Sequence, residues 1–412
     1  MDLHPPAALP SQDHLNLPTS PQLSGMMLRP EQVRKIVNMK ILGIETSCDE
    51  TSVALVEDGR VVLSNLIASQ VRIHARFGGV VPEVASRAHL QQLLPMVDEC
   101  LSRHDMTLTD VDALAVTRGP GLVGALLIGV ETAKALAWAA RKPLIPVHHI
   151  AAHLYAPFLI ADAAACQTIV MGSPQAEKPG HAEEVSSAFL SPVISSPPSV
   201  PLSYPYLGLV VSGGHTSLIH VHSPLRHTVL AETVDDAAGE AFDKTAKLLE
   251  LGYPGGPLVA ATAKGGDRTR FKLPRPMLAG SGIQFSFSGL KTAVGKIIRD
   301  VGLETLRTNE EMLRDLCASF EEAVVETLLR KAHRALRKTG MRQLAIVGGV
   351  ASNERLREAT AEYLPGHQAI FPPPVFCTDN AAMIAGLAFH HREATGPTAD
   401  LTMNARADLP IT

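Results

Sequence analysis

Residues 40–67 read KILGIETSCDETSVALVEDGRVVLSNLI. Three apolar runs stand in this stretch, Lys40–Glu45, Ser52–Glu57 and Arg60–Ile67. Val, Ile and Leu dominate each, as they do in buried strands. Asp58-Gly59 between the last two predicts a two-residue hairpin, because both turn positions take positive φ. Downstream the period changes. A helix is predicted from Pro82 to about Arg103, then a strand over Asp112–Thr117, a turn at Gly119-Pro120-Gly121, a helix to Arg141, a strand over Pro143–Val147 and a helix from about His149. Pro82 suits a first helical position and Glu83 the positive end of the dipole. The unit is three strands followed by alternating helix and strand.

A looser copy of this order recurs. Tyr206–Ser212, Thr216–His222 and His227–Glu232 read as strands, with Gly213-Gly214 turning the first into the second. Helices follow over Gly239–Leu251, Pro257–Lys264, Leu290–Asp300 and Asn309–Lys338. Then come a strand over Gln343–Val347, a helix from Asn353, a short strand over Ala369–Phe371 and a last helix over Asp379–His391. Two such units in tandem predict a duplicated α/β architecture with a cleft between the halves. Ligands in such folds sit at strand ends and helix N-termini facing the cleft. Ala161–Tyr204 is rich in Ser, Pro and Ala without helix or strand period, and is expected to be a flexible surface insertion.

Composition narrows the function class. Of 412 residues 46% are hydrophobic and 19% charged, a globular balance. Net charge is −4, so any nucleic-acid binding needs a local basic patch or a partner. The five cysteines are scattered and form no CxxC pair, which fits a reducing compartment and argues against a Cys-type zinc knuckle. The longest apolar run, Gly121–Ala140, carries Glu131 and Lys134 and is expected to be a buried amphipathic helix, not a membrane span. Residues 1–38 are polar and Pro-rich, without an apolar signal core, and read as a disordered extension.

Several strings carry chemistry. His149 and His153 are four apart in a predicted helix, so both imidazoles share one face within reach of one metal ion. Ile150 stands where a zinc peptidase needs its glutamate, which disfavours that class. A third ligand has to come from elsewhere; Asp379, opening the last helix, is the candidate, and a plain helix cap explains it as well. Val211-Ser212-Gly213-Gly214-His215-Thr216 and Ile346-Val347-Gly348-Gly349-Val350-Ala351-Ser352-Asn353 are strands running into Gly-Gly turns. With Tyr253-Pro254-Gly255-Gly256 they suggest a nucleotide cleft, while ordinary turns remain the plainer reading of each alone. No GxxxxGK[ST] string is present, which excludes a Walker-type ATPase. Glu45, Asp49 and Glu50 crowd the first strand-to-strand turn, where acids manage cations or position an amine. Lys264, Arg268, Arg270, Lys272 and Arg275, with Lys291, Lys296, Phe271, Phe285 and Phe287, offer an RNA-facing strip; a solvated charged loop explains them too.

Taken together these strings resemble the tRNA N6-adenosine threonylcarbamoyltransferase family (bacterial TsaD). The residues that carry the resemblance are Gly43-Ile44-Glu45-Thr46-Ser47-Cys48-Asp49-Glu50-Thr51, Gly78-Gly79-Val80-Val81-Pro82-Glu83, Arg118-Gly119-Pro120-Gly121, His148-His149 with His153, and Val211 through Thr216. Asp235 through Lys244, Tyr253 through Pro257, Phe285 through Thr292 and Thr378-Asp379-Asn380 complete it in family order. The resemblance implies an actin-like (ASKHA) fold of two ribonuclease-H-like lobes around a nucleotide cleft. The lobes are expected at 39–148 and 149–392, with insertion 161–204, the last helix returning to the first lobe and a tail at 393–412.

It further implies one Fe²⁺ or Zn²⁺ on His149, His153 and Asp379. The donor, threonylcarbamoyl-AMP, would lie along Val210, Val211, Ser212, Gly213, Gly214, Asp243, Gly256 and Asn353, with ATP or ADP as the other occupants of that cleft. The acceptor would be N6 of adenosine 37, 3′ of the anticodon, in tRNAs reading ANN codons. Two partners are implied, a catalytically silent TsaB-like paralogue and a TsaE-like P-loop ATPase, in the cytoplasm and without a membrane. Asp49 or Glu50 is the expected base. The family usually has Met-Glu-Gly between its histidines where this chain has Ile150-Ala151-Ala152. A kinase or ATPase of the same fold and a non-catalytic binding subunit are the rival readings; the paired imidazoles disfavour the first and the full set of candidate ligands the second.

Overall fold

Two mixed sheets organise the protein in a computed structural model, which describes residues 38–161, 163–170, 201–396 and 401–411. The extension expected before Asn38 and the central part of the expected insertion, 171–200, lie outside the described residues.

The chain runs β1 (Lys40–Glu45), β2 (Glu50–Glu57), β3 (Val61–Ser69), α1 (Val71–Ala75), α2 (Pro82–Ser102), β4 (Ala113–Gly119), α3 (Val123–Ala140), β5 (Leu144–His148), α4 (His149–Tyr155) and β6 (Cys166–Val170). It continues through β7 (Tyr206–Val211), β8 (Thr216–Ser223), β9 (Arg226–Glu232), α5 (Ala238–Leu248), α6 (Gly255–Ala263), α7 (Ser288–Val301), α8 (Leu303–Thr308) and α9 (Glu310–Thr339). Last come β10 (Gln343–Val347), α10 (Glu354–Tyr363), β11 (Gln368–Ile370) and α11 (Ala381–Thr395).

The first sheet has the order β5-β4-β1-β2-β3-β6 and the second β11-β10-β7-β8-β9. In each, three antiparallel strands are joined by two parallel ones through the first of the three. The hairpin forms as its turn residues require: Asp58 and Gly59 have φ of 50° and 70°. Cys166–Val170 departs from expectation. It pairs in parallel with β3 and extends the first sheet, so that part of the expected insertion is ordered strand. Its alternation is too short to register as a period.

Strand parity decides which side chains face the site. In β1, Leu42 and Ile44 pack with Leu93, Met96 and Val130 of α2 and α3. Ile41 packs on the other face, with α11 and α4. Gly43 shares that face, and a Cβ there would lie 2.4 Å from the Ala381 carbonyl oxygen, so α11 approaches closer than any side chain allows. Glu45 follows by the same alternation and points toward α4.

α4 is wedged between the sheets. Ile150 and Leu154 pack with Tyr206, Val210 and Ile219 of the second sheet, while Ala151, Ala152 and Tyr155 pack with the first. Gly208 permits this, since its Cβ would overlap Leu154 Cδ2. α3 is long and apolar enough to cross a membrane by composition alone, but only one face is buried, through Ala125, Leu126, Val130 and Ala133. Val123 and Leu127 on α3 and Leu90 and Leu94 on α2 stay exposed.

The tail expected at 393–412 is partly structured. Helix α11 extends to Thr395, and Met403 is buried in the first core. The Arg406 N–H donates to Arg118 O at 2.9 Å, and the Gly121 N–H to Ala407 O at 3.2 Å.

Candidate metal centre and adjoining cleft

His148 ends β5 and caps α4, its Nδ1 accepting from the Ile150 and Ala151 N–H groups at 3.2 and 3.3 Å. Its Nε2–H donates to Leu409 O at 3.0 Å, which fixes the tautomer. Burial pushes the His148 pKa down to about 4, so the ring stays neutral and able to accept. The capped helix then presents His149 and His153 on one face, ring centroids 4.7 Å apart and nearly perpendicular.

Asp379 meets them from the other end of the chain. The last helix was expected to open at Asp379, but Asn380 is its cap, accepting from the Met383 N–H at 3.1 Å. Asp379 stands one residue outside and is free to face the imidazoles. Its Oδ1 lies 3.0 Å from His153 Nε2 and 3.6 Å from His149 Nε2. One ligand atom from each of the three falls within 4.8 Å of the others.

The donor set fits a divalent metal. Two imidazole nitrogens and one carboxylate oxygen suit Fe²⁺ or Zn²⁺. Carboxylate support behind a ligating histidine is the usual second element of such a site. Glu45 provides it: its Oε2 lies 3.0 Å from His149 Nδ1 and accepts from Thr117 Oγ1 at 2.7 Å, while Oε1 accepts from the Ser47 N–H at 2.5 Å. Glu45 belongs to the acidic first turn by sequence, and its parity with Ile41 and Gly43 in β1 is the signal that turns it toward His149. Burial opposes charging of His149, but the Asp379 and Glu45 carboxylates outweigh it and raise the pKa to about 9. Burial likewise opposes ionisation of Asp379, and the neighbouring imidazoles overcome it, holding the carboxyl well below its ordinary range.

Asp49 and Glu50 lie within electrostatic reach of this centre, and of Tyr253 ahead of α6. Glu50 pairs with Ser69 at the end of β3. Its carboxyl is pushed well above the usual range by burial first, then by repulsion from Asp49 and Asp379. The Asp243 carboxyl is raised by burial, and Asp49 adds repulsion across the gap. Asp243 Oδ1 accepts from the Gly255 N–H at 2.7 Å, tying α5 to the start of α6.

The expected cleft residues divide into two groups. Gly213, Gly214, Gly256 and Gly349 face open space, with no atom within 4 Å of a Cβ built there. Val210 and Val211 are wholly buried in β7, so they support the turn with their side chains rather than line the cleft. Ser212 accepts through Oγ from the His215 N–H at 3.1 Å. Asn353 caps α10, accepting from the Leu356 N–H at 2.8 Å and donating to Glu321 Oε1 at 2.7 Å, so both polar ends already have protein partners.

The basic strip does not assemble as expected. Lys264, Arg268, Arg270 and Arg275 each lie against a carboxylate, of Glu354, Glu358, Asp315 and Glu326 respectively. Phe285 and Phe287 are buried in the second core and unavailable for stacking. A cavity of about 710 Å³ beside Trp138, Arg141 and Leu401 lies elsewhere. α3 starts against Ser47 and ends at that cavity, 18 residues on, roughly 27 Å away at 1.5 Å per residue.

Comparison with known proteins places this geometry. The family model described as TsaD: tRNA N6-adenosine threonylcarbamoyltransferase matches residues 61–172 and 188–386. A protein of Anaeromyxobacter sp. (strain Fw109-5) named tRNA N6-adenosine threonylcarbamoyltransferase is 47% identical over 370 residues, covering 89% of this chain and 98% of that one. Among solved structures, YeaZ from Pseudomonas aeruginosa is 32% identical over 28% of this chain and 46% of its own, with a TM-score of 0.23. Component A of the Acidaminococcus fermentans (R)-2-hydroxyglutaryl-CoA dehydratase is 14% identical over 86% of this chain and 99% of its own, with a TM-score of 0.46. The match to the family model over most of the sequence, and to a relative along nearly its whole length, makes this chain a member of the tRNA N6-adenosine threonylcarbamoyltransferase family.

Proposed function

We propose that this protein transfers the threonylcarbamoyl group from threonylcarbamoyl-AMP to N6 of adenosine 37 in tRNAs reading ANN codons. The observation that carries the reading is the meeting of His149, His153 and Asp379 beside Asp49 and Glu50, in a chain of this family. The matching strand orders of the two sheets support an actin-like, duplicated ancestry for the lobes.

In this reading the adenylate lies over the open backbone of Gly213, Gly214, Gly256 and Gly349, with Asp243 and Ser212 at its polar edge. Asn353 holds the α10 end of the cleft. A metal on His149, His153 and Asp379, iron or zinc, supplies Lewis-acid charge next to the donor's polar groups. The N6 lone pair attacks the carbamoyl carbon, the bond from that carbon to the phosphate oxygen breaks, and AMP leaves with the electron pair. Asp49 or Glu50 takes the N6 proton. Burial and the neighbouring Asp49 and Asp379 raise the proton affinity of the Glu50 carboxylate, which strengthens it as an acceptor of that proton when ionised. The mixed anhydride already has a good leaving group, so positioning and charge stabilisation carry most of the rate.

A TsaB-like paralogue and a TsaE-like ATPase complete the system, in the cytoplasm. The exposed Leu90, Leu94, Val123 and Leu127 are consistent with protein partners, and five free cysteines with a reducing compartment. The test is mass spectrometry of an unmodified tRNA transcript incubated with the protein, its partners and the adenylate. A gain of one threonylcarbamoyl group on adenosine is expected. An unmodified transcript in the presence of intact donor contradicts the reading.

A further inference from the structure

The acceptor in this reading is a polyanion, yet most of the basic strip that the sequence offered for it is matched by carboxylates. A different cationic element lies directly on the Asp49–Glu50 turn. Gln70 follows β3, and its N–H donates to Asp49 O at 3.1 Å. α1 begins at the next residue. His74 on its inner side is buried, with Nε2 3.1 Å from Gln70 Oε1 and Nδ1 accepting from the Val81 N–H at 3.3 Å. His89 joins the same anchor, 3.0 Å from Cys48 O.

Among the described residues, the outer side of this element carries no ion pair. Arg72 and Arg76 are four residues apart, so they share the face opposite His74. Both are exposed, and neither takes part in any ion pair among the described residues. Residues 71–82 contain no acid. Phe77 is 49% exposed, with the Arg76 guanidinium 4.8 Å from its ring centroid. Gly78 and Gly79 at the tip have φ of +67° and +157° and nothing within 4 Å of a built Cβ. An exposed ring with the Arg76 guanidinium against it and Arg72 one helical turn back, held by its base to the Asp49–Glu50 turn, matches what a single-stranded RNA loop requires: phosphate contacts and a stacking face.

We propose that Arg72, Arg76 and Phe77 form the edge that grips the anticodon loop, the arginines on its phosphates and Phe77 stacked on a base next to the target adenosine. This rests on the tRNA reading above and adds where the RNA sits.

The test is tRNA binding and modification by the complete complex across a salt series, comparing wild type with Arg72→Ala/Arg76→Ala, Arg72→Lys/Arg76→Lys and Phe77→Ala. The alanine pair is expected to flatten the slope of log K against log salt by about 1.4, roughly 0.7 per lost contact to single-stranded RNA. The lysine pair keeps the slope. Phe77→Ala weakens binding about 5- to 150-fold with an unchanged slope, as loss of one stacked base does. Metal content stays at wild-type level in all three. Wild-type slope and affinity in the alanine pair overturn the proposal. So does loss of the protein partners with tRNA affinity intact, which makes the edge a protein interface. A wild-type complex that binds no tRNA overturns the parent reading instead.

Discussion

The Glu45 carboxylate stands 3.0 Å from Nδ1 of His149, with both side chains buried. The contact joins the first strand of the chain to the helix that presents both imidazoles. It settles which nitrogen of His149 is left for a metal: Nδ1–H is held by the acid, and Nε2 faces Asp379.

Glu45→Gln is therefore expected to bind metal about 10- to 100-fold more weakly, the usual effect of removing such a support. The amide oxygen still accepts from Nδ1–H and Thr117 Oγ1 while the amide NH2 faces the Ser47 N–H, so a melting curve of the variant accompanies the titration to show that it is folded. Competition titration of metal-free protein against a chromophoric chelator with Zn²⁺ reads the change. Wild-type affinity in the variant sinks the positioning role.

Close approach of α11 to β1 brings Asp379 into place. Gly43→Ala pushes a methyl against the Ala381 carbonyl oxygen and is expected to cost about 1–3 kcal/mol, as overpacking does. Gly295→Ala, in the middle of α7 with only the Arg299 guanidinium nearby at 3.8 Å, is expected to stabilise by about 0.5–1 kcal/mol. Urea unfolding midpoints check both. Equal effects at the two sites contradict the packing described here.

The C-terminal segment reaches the helix that carries His149 and His153 through Leu409 and His148. A chain ending at Asn404 loses the Arg406 and Ala407 backbone bonds and the bond from the half-buried His148 Nε2–H to Leu409 O. The expected cost of that lost hydrogen bond alone is about 0.5–1.5 kcal/mol. Metal affinity falls with it, because the same ring caps α4. Unchanged stability and unchanged affinity after truncation refute this coupling.

Asp243 is an acid whose burial opposes its ionisation. Its folded pKa is raised by burial above the ordinary 3.8, so folding favours the protonated form. The stabilising contribution is complete below the unfolded pKa and is lost as pH rises through the folded value. At neutral pH the ionised side chain therefore costs stability. Asp243→Asn, which keeps an oxygen for the Gly255 N–H, is expected to melt at a higher temperature than wild type at pH 7. The difference shrinks toward pH 4. Donor affinity drops in the same variant. A lower melting temperature at pH 7 refutes the sign.

Much of the site could be seen in the sequence because it rests on local patterns. The four-residue spacing of His149 and His153 needs only a helix, and the Gly-Gly turns after β7 and β10 need only strand endings. Elements came through for the same reason: β1, β10 and the Asp58-Gly59 turn have strong local signals. What stayed hidden depends on contacts between distant segments. Glu45 acquires its role only when α4 is laid on the first sheet. Asp379 is distinguished from a cap only by Asn380 taking that duty. The basic strip looked free because the acids of α9 and α10 that pair with it lie about 45–90 positions further along the chain. β6 was missed because five residues among Ser, Pro and Ala carry too little period.

The central claim is that His149, His153 and Asp379 together hold one cation. Elemental analysis of anaerobically purified protein tests it directly, comparing wild type, His149→Ala/His153→Ala and Asp379→Ala after reconstitution with Fe²⁺ or Zn²⁺. About one metal per wild-type chain, with the double histidine variant near zero and Asp379→Ala well below one, is the expected result. Full metal occupancy in the double histidine variant, or none in a folded and reconstituted wild type, contradicts it.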